Sequence, residues 1–177
     1  MKLTFKNDTF KILQIADTQE GRKVSPDTLA LINAALDREE PDLVVYSGDQ
    51  IWGRGFHGDV NQVRRVLKEL TAPVVERHLP FAICFGNHDR QVGLDNRAQF
   101  EIYKEIPGFI GEDTPGVDGV GNCVLEIADG DRPGYLLYLI DSHSSLKVGY
   151  DHVHQNQIDW YRGVRDSYEK QYGHTIP

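Results

Sequence analysis

Three apolar runs in the first ninety residues each end in a cluster of polar side chains able to bind a cation. Residues 12–16 (Ile-Leu-Gln-Ile-Ala) lead to Asp17, residues 43–47 (Leu-Val-Val-Tyr-Ser) to Gly48-Asp49, and residues 81–85 (Phe-Ala-Ile-Cys-Phe) to Gly86-Asn87-His88-Asp89. In an open α/β sheet the carboxyl ends of the strands face one crevice, and ligands collect there. Two carboxylates, an amide oxygen and an imidazole spread over about seventy residues are therefore expected to converge. Hard oxygen donors with one or two nitrogens suit Mn²⁺, Mg²⁺, Fe or Zn²⁺. The chemistry that follows is metal-dependent hydrolysis.

The elements that must position these residues alternate strand and helix. Ser25 is expected to cap a helix with Pro26 at its first position and Leu29, Ile32, Ala35 and Leu36 on its apolar stripe. A second helix reads from about Asn61 with Val63, Val66, Leu67 and Leu70 on one face, interrupted or restarted at Pro73. A short helical stretch follows at 97–104, and a Gly/Pro-rich rim loop at 107–121. Residues 124–127 and 135–140 read as a hairpin around Asp129-Gly130, continuing the sheet or starting another. A last helix is expected over 156–172, burying Ile158, Tyr161, Val164 and Tyr168.

A chain of 177 residues, 40% hydrophobic, suits one domain with a sizeable core. Its net charge of −8 argues against general nucleic-acid binding and against anionic membranes. A phosphate ester remains compatible, because bound cations invert the local field. Cys84 and Cys123 are too few for a disulfide framework, and no run is long enough for a membrane span or secretory signal. A cytoplasmic location is the expectation.

Gly48-Asp49-Gln50 and Gly86-Asn87-His88-Asp89, each after an apolar run and preceded by Asp17, resemble the calcineurin-like metallophosphoesterase superfamily. Leu139-Ile140-Asp141-Ser142, Gly149-Tyr150-Asp151 and the run from Gln157 to Tyr161 are similar to its bacterial and plant branch related to purple acid phosphatase 29. The resemblance implies a layered α/β/β/α sandwich, of which this chain would be the N-terminal portion. It also implies two divalent metal ions, with Mn²⁺, Fe or Zn²⁺ ahead of Mg²⁺. Asp17 would bind the first, Asp49 would bridge the pair, and Asn87 would bind the second. A bridging carboxylate offsets the repulsion of two cations about 3.5–4 Å apart, and a metal-bound hydroxide would attack phosphorus. His88 would be the general acid, oriented by Asp89, since an imidazole titrates near the working pH. The substrate would be a small-molecule or macromolecular phosphoester.

Two departures from the family pattern stand out. The usual Asp-x-His has Gln19 in place of the histidine, and an amide oxygen is the weaker ligand for Zn²⁺ or Fe. The family's downstream strand-end histidine and Gly-His-x-His motif do not occur before Pro177, so the domain is expected to be C-terminally incomplete. On that reading Leu136, Tyr138 and Ile140 would lose part of their cover. His152 and His154 offer a substitute pair, although histidines at a helix entry are the simpler reading. His143 is read as a rim contact or a plain loop residue, His57 as a solvated loop residue ahead of a substrate contact, and Arg90 as a phosphate contact or a surface ion pair. Trp52 and Phe56 would wall the pocket or pack in the core. Two rivals follow: a catalytically inactive, regulatory scaffold whose metal site never completes, and a nucleotide-binding module. The latter lacks a Gly-rich phosphate cradle.

Overall fold

The computed structural model describes residues 2–53 and 55–177. In chain order the elements are β1 (Leu3–Thr4), β2 (Ile12–Ile15), α1 (Pro26–Glu39), β3 (Leu43–Tyr46), α2 (Val60–Glu76), β4 (Phe81–Ile83), a 3-10 turn (Asp89–Val92), α3 (Asn96–Lys104), β5 (Cys123–Asp129), β6 (Arg132–Leu139) and α4 (Gln155–Tyr172). They make two three-stranded sheets, β2-β3-β4 and β1-β5-β6.

The first sheet is parallel, with Ile12 opposite Leu43 and Val44 opposite Phe81. β3 is buried along its whole length, as expected of a central parallel strand covered on both faces. Its side chains alternate between two cores. Val44 and Tyr46 join Phe81, Ile83 and the apolar stripes of α1, α2 and α3. Leu43 and Val45 face the other way, against Leu3, Cys123, Leu125, Ile127 and Leu139 of the second sheet. On the far side of that sheet Tyr138 packs edge-on against Tyr161 of α4, with ring centroids 4.8 Å apart. The layers therefore run helices, sheet, sheet, helix.

Ser25 caps α1 by accepting from the Asp27 N–H at 3.3 Å, and Pro26 starts the helix. In α2 the cap is Asp59, whose carboxylate accepts from Asn61 and Gln62. Pro73 does not interrupt that helix. Val63, Val66, Leu67, Leu70 and Val74 are all fully buried, and this packing outweighs the local cost of a proline within the helix. The hairpin starts a second sheet rather than continuing the first, and β1, too short to stand out in the sequence, lies parallel to β5 with Leu3 opposite Ile127.

The expected loss of cover on the hairpin is corrected at Leu136, which is buried, while Tyr138, against α4, and Ile140 are half-buried. Beside β6 the Leu136 N–H donates to the Pro177 carbonyl at 2.8 Å, and Ile176 is buried. Among the described residues no helix is long and apolar enough to cross a membrane.

Candidate active site

β2, β3 and β4 end side by side, and backbone hydrogen bonds stitch the loops that follow. The Asp17 N–H donates to the Gly48 carbonyl at 3.0 Å, and the Gln19 N–H donates to the Asp49 carbonyl at 2.8 Å. Asp17 (φ 55°), Gln19 (φ 47°) and Asp49 (φ 54°) all adopt the left-handed region, which side chains other than glycine rarely occupy and which clusters at functional sites.

Close backbone approach sets the spacing. A methyl group on Gly86 would lie 2.1 Å from Asp49 Oδ1 and 2.5 Å from Asp49 N. Gly48 (φ 120°) abuts the same loop, where a methyl group would meet Gly86 N at 3.0 Å. Glycine in both motifs is thus a requirement of contact.

Asp89 ties the two loops together. One carboxylate oxygen accepts from the Asp49 N–H (2.9 Å) and the Gly86 N–H (2.7 Å), and the other accepts from the Ile51 N–H (3.1 Å). Burial pushes its carboxyl up to about 7, against three amide hydrogen bonds that favour the anion, and nearby Asp49 adds to the rise. This corrects the expected pairing of Asp89 with His88. Both Asp89 oxygens are engaged by backbone amides, and no hydrogen bond joins the carboxylate to the imidazole. Asp89 positions the loop that carries His88, not the ring.

His88 donates its backbone N–H to Asp49 Oδ1 at 2.8 Å. Its ring tilts against Trp52, with centroids 5.3 Å apart, and its Nδ1 is buried with no hydrogen-bond partner among the described residues. The side-chain oxygens of Asp17, Gln19 and Asn87 likewise take no hydrogen bond there. Asp49 is only 8% exposed and has one carboxylate oxygen left beyond the His88 contact. Three loops therefore present hard donors that the fold has not consumed, and one of those loops carries His88 with an unpartnered ring nitrogen. That donor set fits divalent cations. The structure thus brings Asp17, Gln19, Asp49, Asn87 and His88 to one set of strand ends.

The remaining candidates go elsewhere. Phe56 is core. Arg90 Nη1 donates to Ser144 Oγ at 2.8 Å, tying the His88 loop to the loop after β6. His154 is the N-cap of α4, as the helix-entry reading had it, but both of its ring nitrogens face carboxylates.

Two residues belong to the motifs quoted from the sequence but have roles that only the structure reveals. Gln50, 1% exposed, donates to the Tyr46 and Cys84 carbonyls and so locks the ends of β3 and β4 together. Gln157, fully buried, joins Asn122, Asp141, His143 and His154. Membership in the Gly48-Asp49-Gln50 and Gln157–Tyr161 motifs is the mark they leave in the sequence.

Comparison with known proteins matches residues 10–173 to the family model described as calcineurin-like phosphoesterase. Phosphatase DCR2 of Saccharomyces cerevisiae is 31% identical over 185 residues, covering 89% of this chain and 32% of that protein. An uncharacterized protein of Schizosaccharomyces pombe, C1020.05, is 32% identical over 86% of this chain and 32% of its own length. The probable inactive purple acid phosphatase 29 of Arabidopsis thaliana is 26% identical over 97% of this chain and 51% of its length. The chain thus spans about a third to a half of these relatives.

Proposed function

Because the chain belongs to the calcineurin-like phosphoesterase family, whose members generally bind divalent metals, we propose that it hydrolyses phosphoesters at the ends of β2, β3 and β4. Asp17, Asp49 and Asn87 would hold two divalent cations, Asp49 between them, with Gln19 as a weaker oxygen donor in place of a histidine. Such ions, Mn²⁺, Fe or Zn²⁺, supply Lewis-acid polarisation and an activated water.

The chain's own residues do the rest. Asp89 and the paired glycines hold the Asp49 and Asn87 loops in contact, so the donors are arranged before anything binds. One P–O bond forms to water, which releases a proton to solvent, the ester P–O bond breaks, the departing oxygen takes a proton from His88, and His88 regains one from solvent. The substrate is a small-molecule or macromolecular phosphoester. Unconsumed side-chain oxygens on three neighbouring strand-end loops, one of which carries His88, carry this reading.

A second reading is favoured by Gln19 and by relatives named as probable inactive phosphatases: a scaffold that binds metal without turnover. One experiment separates them. The full-length protein, loaded with Mn²⁺, is assayed on an aryl phosphate beside Asp49→Asn, with metal content measured by elemental analysis. Hydrolysis requires turnover by the parent protein and loss of both metal and turnover in the variant. Metal binding without turnover establishes the scaffold. Two metals retained by Asp49→Asn would falsify the site itself.

A further inference from the structure

Away from the strand ends, His143, Asp151 and His154 each place one ligand-type atom within 4.8 Å of the others. We propose that these three side chains form a separate site for a single transition-metal ion, Zn²⁺ on the chemistry of the donors. This inference does not rest on the phosphoesterase reading. None of the hydrogen bonds that build the cluster involves Asp17, Asp49 or Asn87.

The argument begins at Gln157. Its Nε2 donates to the Asp141 carbonyl at 2.6 Å and to Asn122 Oδ1 at 2.9 Å. A carbonyl only accepts, so this end of the amide is the nitrogen. The other end, Oε1, accepts from the His154 backbone N–H at 2.7 Å, which fixes the same orientation independently. His143 Nε2 lies 3.0 Å from that oxygen and must therefore carry its proton. A neutral His143 then has its lone pair on Nδ1.

His154 is set by two carboxylates. Nδ1 lies 2.8 Å from Asp118 Oδ2, and Nε2 lies 3.2 Å from Asp151 Oδ1. With the Nδ1 proton donated to Asp118, the Nε2 lone pair faces a carboxylate oxygen. Two lone pairs at that distance need a cation between them, either a proton or a metal. Ligating histidines almost always donate their far N–H to a carboxylate or a carbonyl oxygen, which fixes the tautomer and raises the basicity of the ligand. Both histidines here have that arrangement, one on Gln157 and one on Asp118. The rings stack with centroids 4.0 Å apart.

Two imidazoles and one carboxylate are the three-ligand set of zinc sites that keep a fourth position open. For Zn–N and Zn–O bonds of about 2.0–2.2 Å, neighbouring tetrahedral ligands sit about 3.3–3.6 Å apart, close to the His154–Asp151 separation. His143 and Asp151 also line a cavity of about 540 Å³ that Arg90 and Arg97 border, so the open position has access to water or an anion. The His152 ring is set aside: its side chain is 78% exposed and its Nδ1 lies 3.4 Å from Asp151 Oδ1, while its backbone N–H donates to that same oxygen at 2.9 Å and holds the carboxylate in place.

The test uses the full-length protein carrying Asp49→Asn, stripped with chelator and titrated with Zn²⁺ alone by calorimetry and elemental analysis. One Zn²⁺ per chain should remain in that background. His143→Ala or His154→Ala should abolish it, His152→Ala should leave it, and Asp118→Asn should weaken it about 10–100-fold. Since the two alanine variants also disturb Gln157 and the start of α4, X-ray absorption of the Zn²⁺-loaded Asp49→Asn protein reads the site with its ligands intact, and two imidazoles in the metal shell are expected. Absence of bound Zn²⁺ in the Asp49→Asn background overturns the proposal. So does stoichiometry unchanged by His154→Ala, loss on His152→Ala, or absorption without imidazole scattering.

Discussion

At the ends of β2, β3 and β4 the backbone is pinned and the side chains are left open, whereas around His143 and His154 the side chains themselves are pinned. In the first region Asp89 and the glycine contacts fix the loops, and the donors of Asp17, Gln19 and Asn87 take no hydrogen bond among the described residues. In the second, Gln157, Asp118 and Asn122 satisfy the polar atoms in turn and preset the tautomers of two rings. Both arrangements hold polar side chains in place. The first does so by shaping the main chain, which leaves a compact motif in sequence. The second does so through polar contacts drawn from distant segments, so the motif segments at 139–142, 149–151 and 157–161 mark the region without revealing its contacts.

The largest break in this comparison is expected from Gly86→Ala. The added methyl would lie 2.1 Å from Asp49 Oδ1, so the loops must separate. Overpacking of this kind costs about 1–3 kcal/mol and occasionally more. Turnover of an aryl phosphate should fall by two orders of magnitude or more, while Zn²⁺ at the histidine cluster, followed by calorimetry, should persist. Loss of both together would mean the regions are one unit.

Gln157→Leu tests the opposite corner. It strands the Asp141 carbonyl and the His154 N–H, and each buried unsatisfied group costs about 1–3 kcal/mol. Chemical denaturation should show a loss of about 2–4 kcal/mol, with Mn²⁺ binding at the strand ends retained by the folded protein.

Asp89→Asn turns one acceptor into a donor opposite a backbone N–H, at a cost of about 1–3 kcal/mol in stability. Turnover should drop through the loops without removing any donor of the site, so metal content at saturating Mn²⁺ should hold. A variant as stable and active as the parent would show that the tie is incidental.

The smallest effect is expected from Arg90→Ala, which cuts the Arg90–Ser144 hydrogen bond between the regions. Stability should change by about 1 kcal/mol, near the net contribution of an ordinary hydrogen bond, because the site is partly solvated and water takes over part of the lost contact. Unaltered Zn²⁺ affinity at the histidine cluster in the same variant would sharpen the view that the two regions act separately.

What the sequence disclosed follows the same division. Ser25 with Pro26, the apolar stripes of α1 and α2, and the strand ends at Asp17, Asp49 and Asn87 are local patterns, so spacing and composition reveal them. The continuation of α2 through Pro73 was not legible, because it depends on a buried stripe supplied by other elements. The role of Asp89 was half-legible. The motif places it beside His88, but its hydrogen bonds run to Asp49 and Ile51 about forty residues away. The carboxylate at Asp118 sits in a segment that reads only as loop, and its meaning emerges when α4 brings His154 against it.

The pairing of β1 with β5 has a consequence for how the chain is made. Leu3 and Thr4 hydrogen-bond to residues around Ile127 and Ala128, about 120 positions later. At a synthesis rate of about 5–20 residues per second, the first strand waits roughly 6–25 s for its partner to be translated. Throughout that interval the β2-β3-β4 sheet and its helices, assembled from nearer neighbours, can form first, and the loop-closure entropy of the long pairing is met last. Residues 3–4 are thus among the last of this domain to be placed, and ribosome-bound chains ending before Cys123 should leave that segment open to protease.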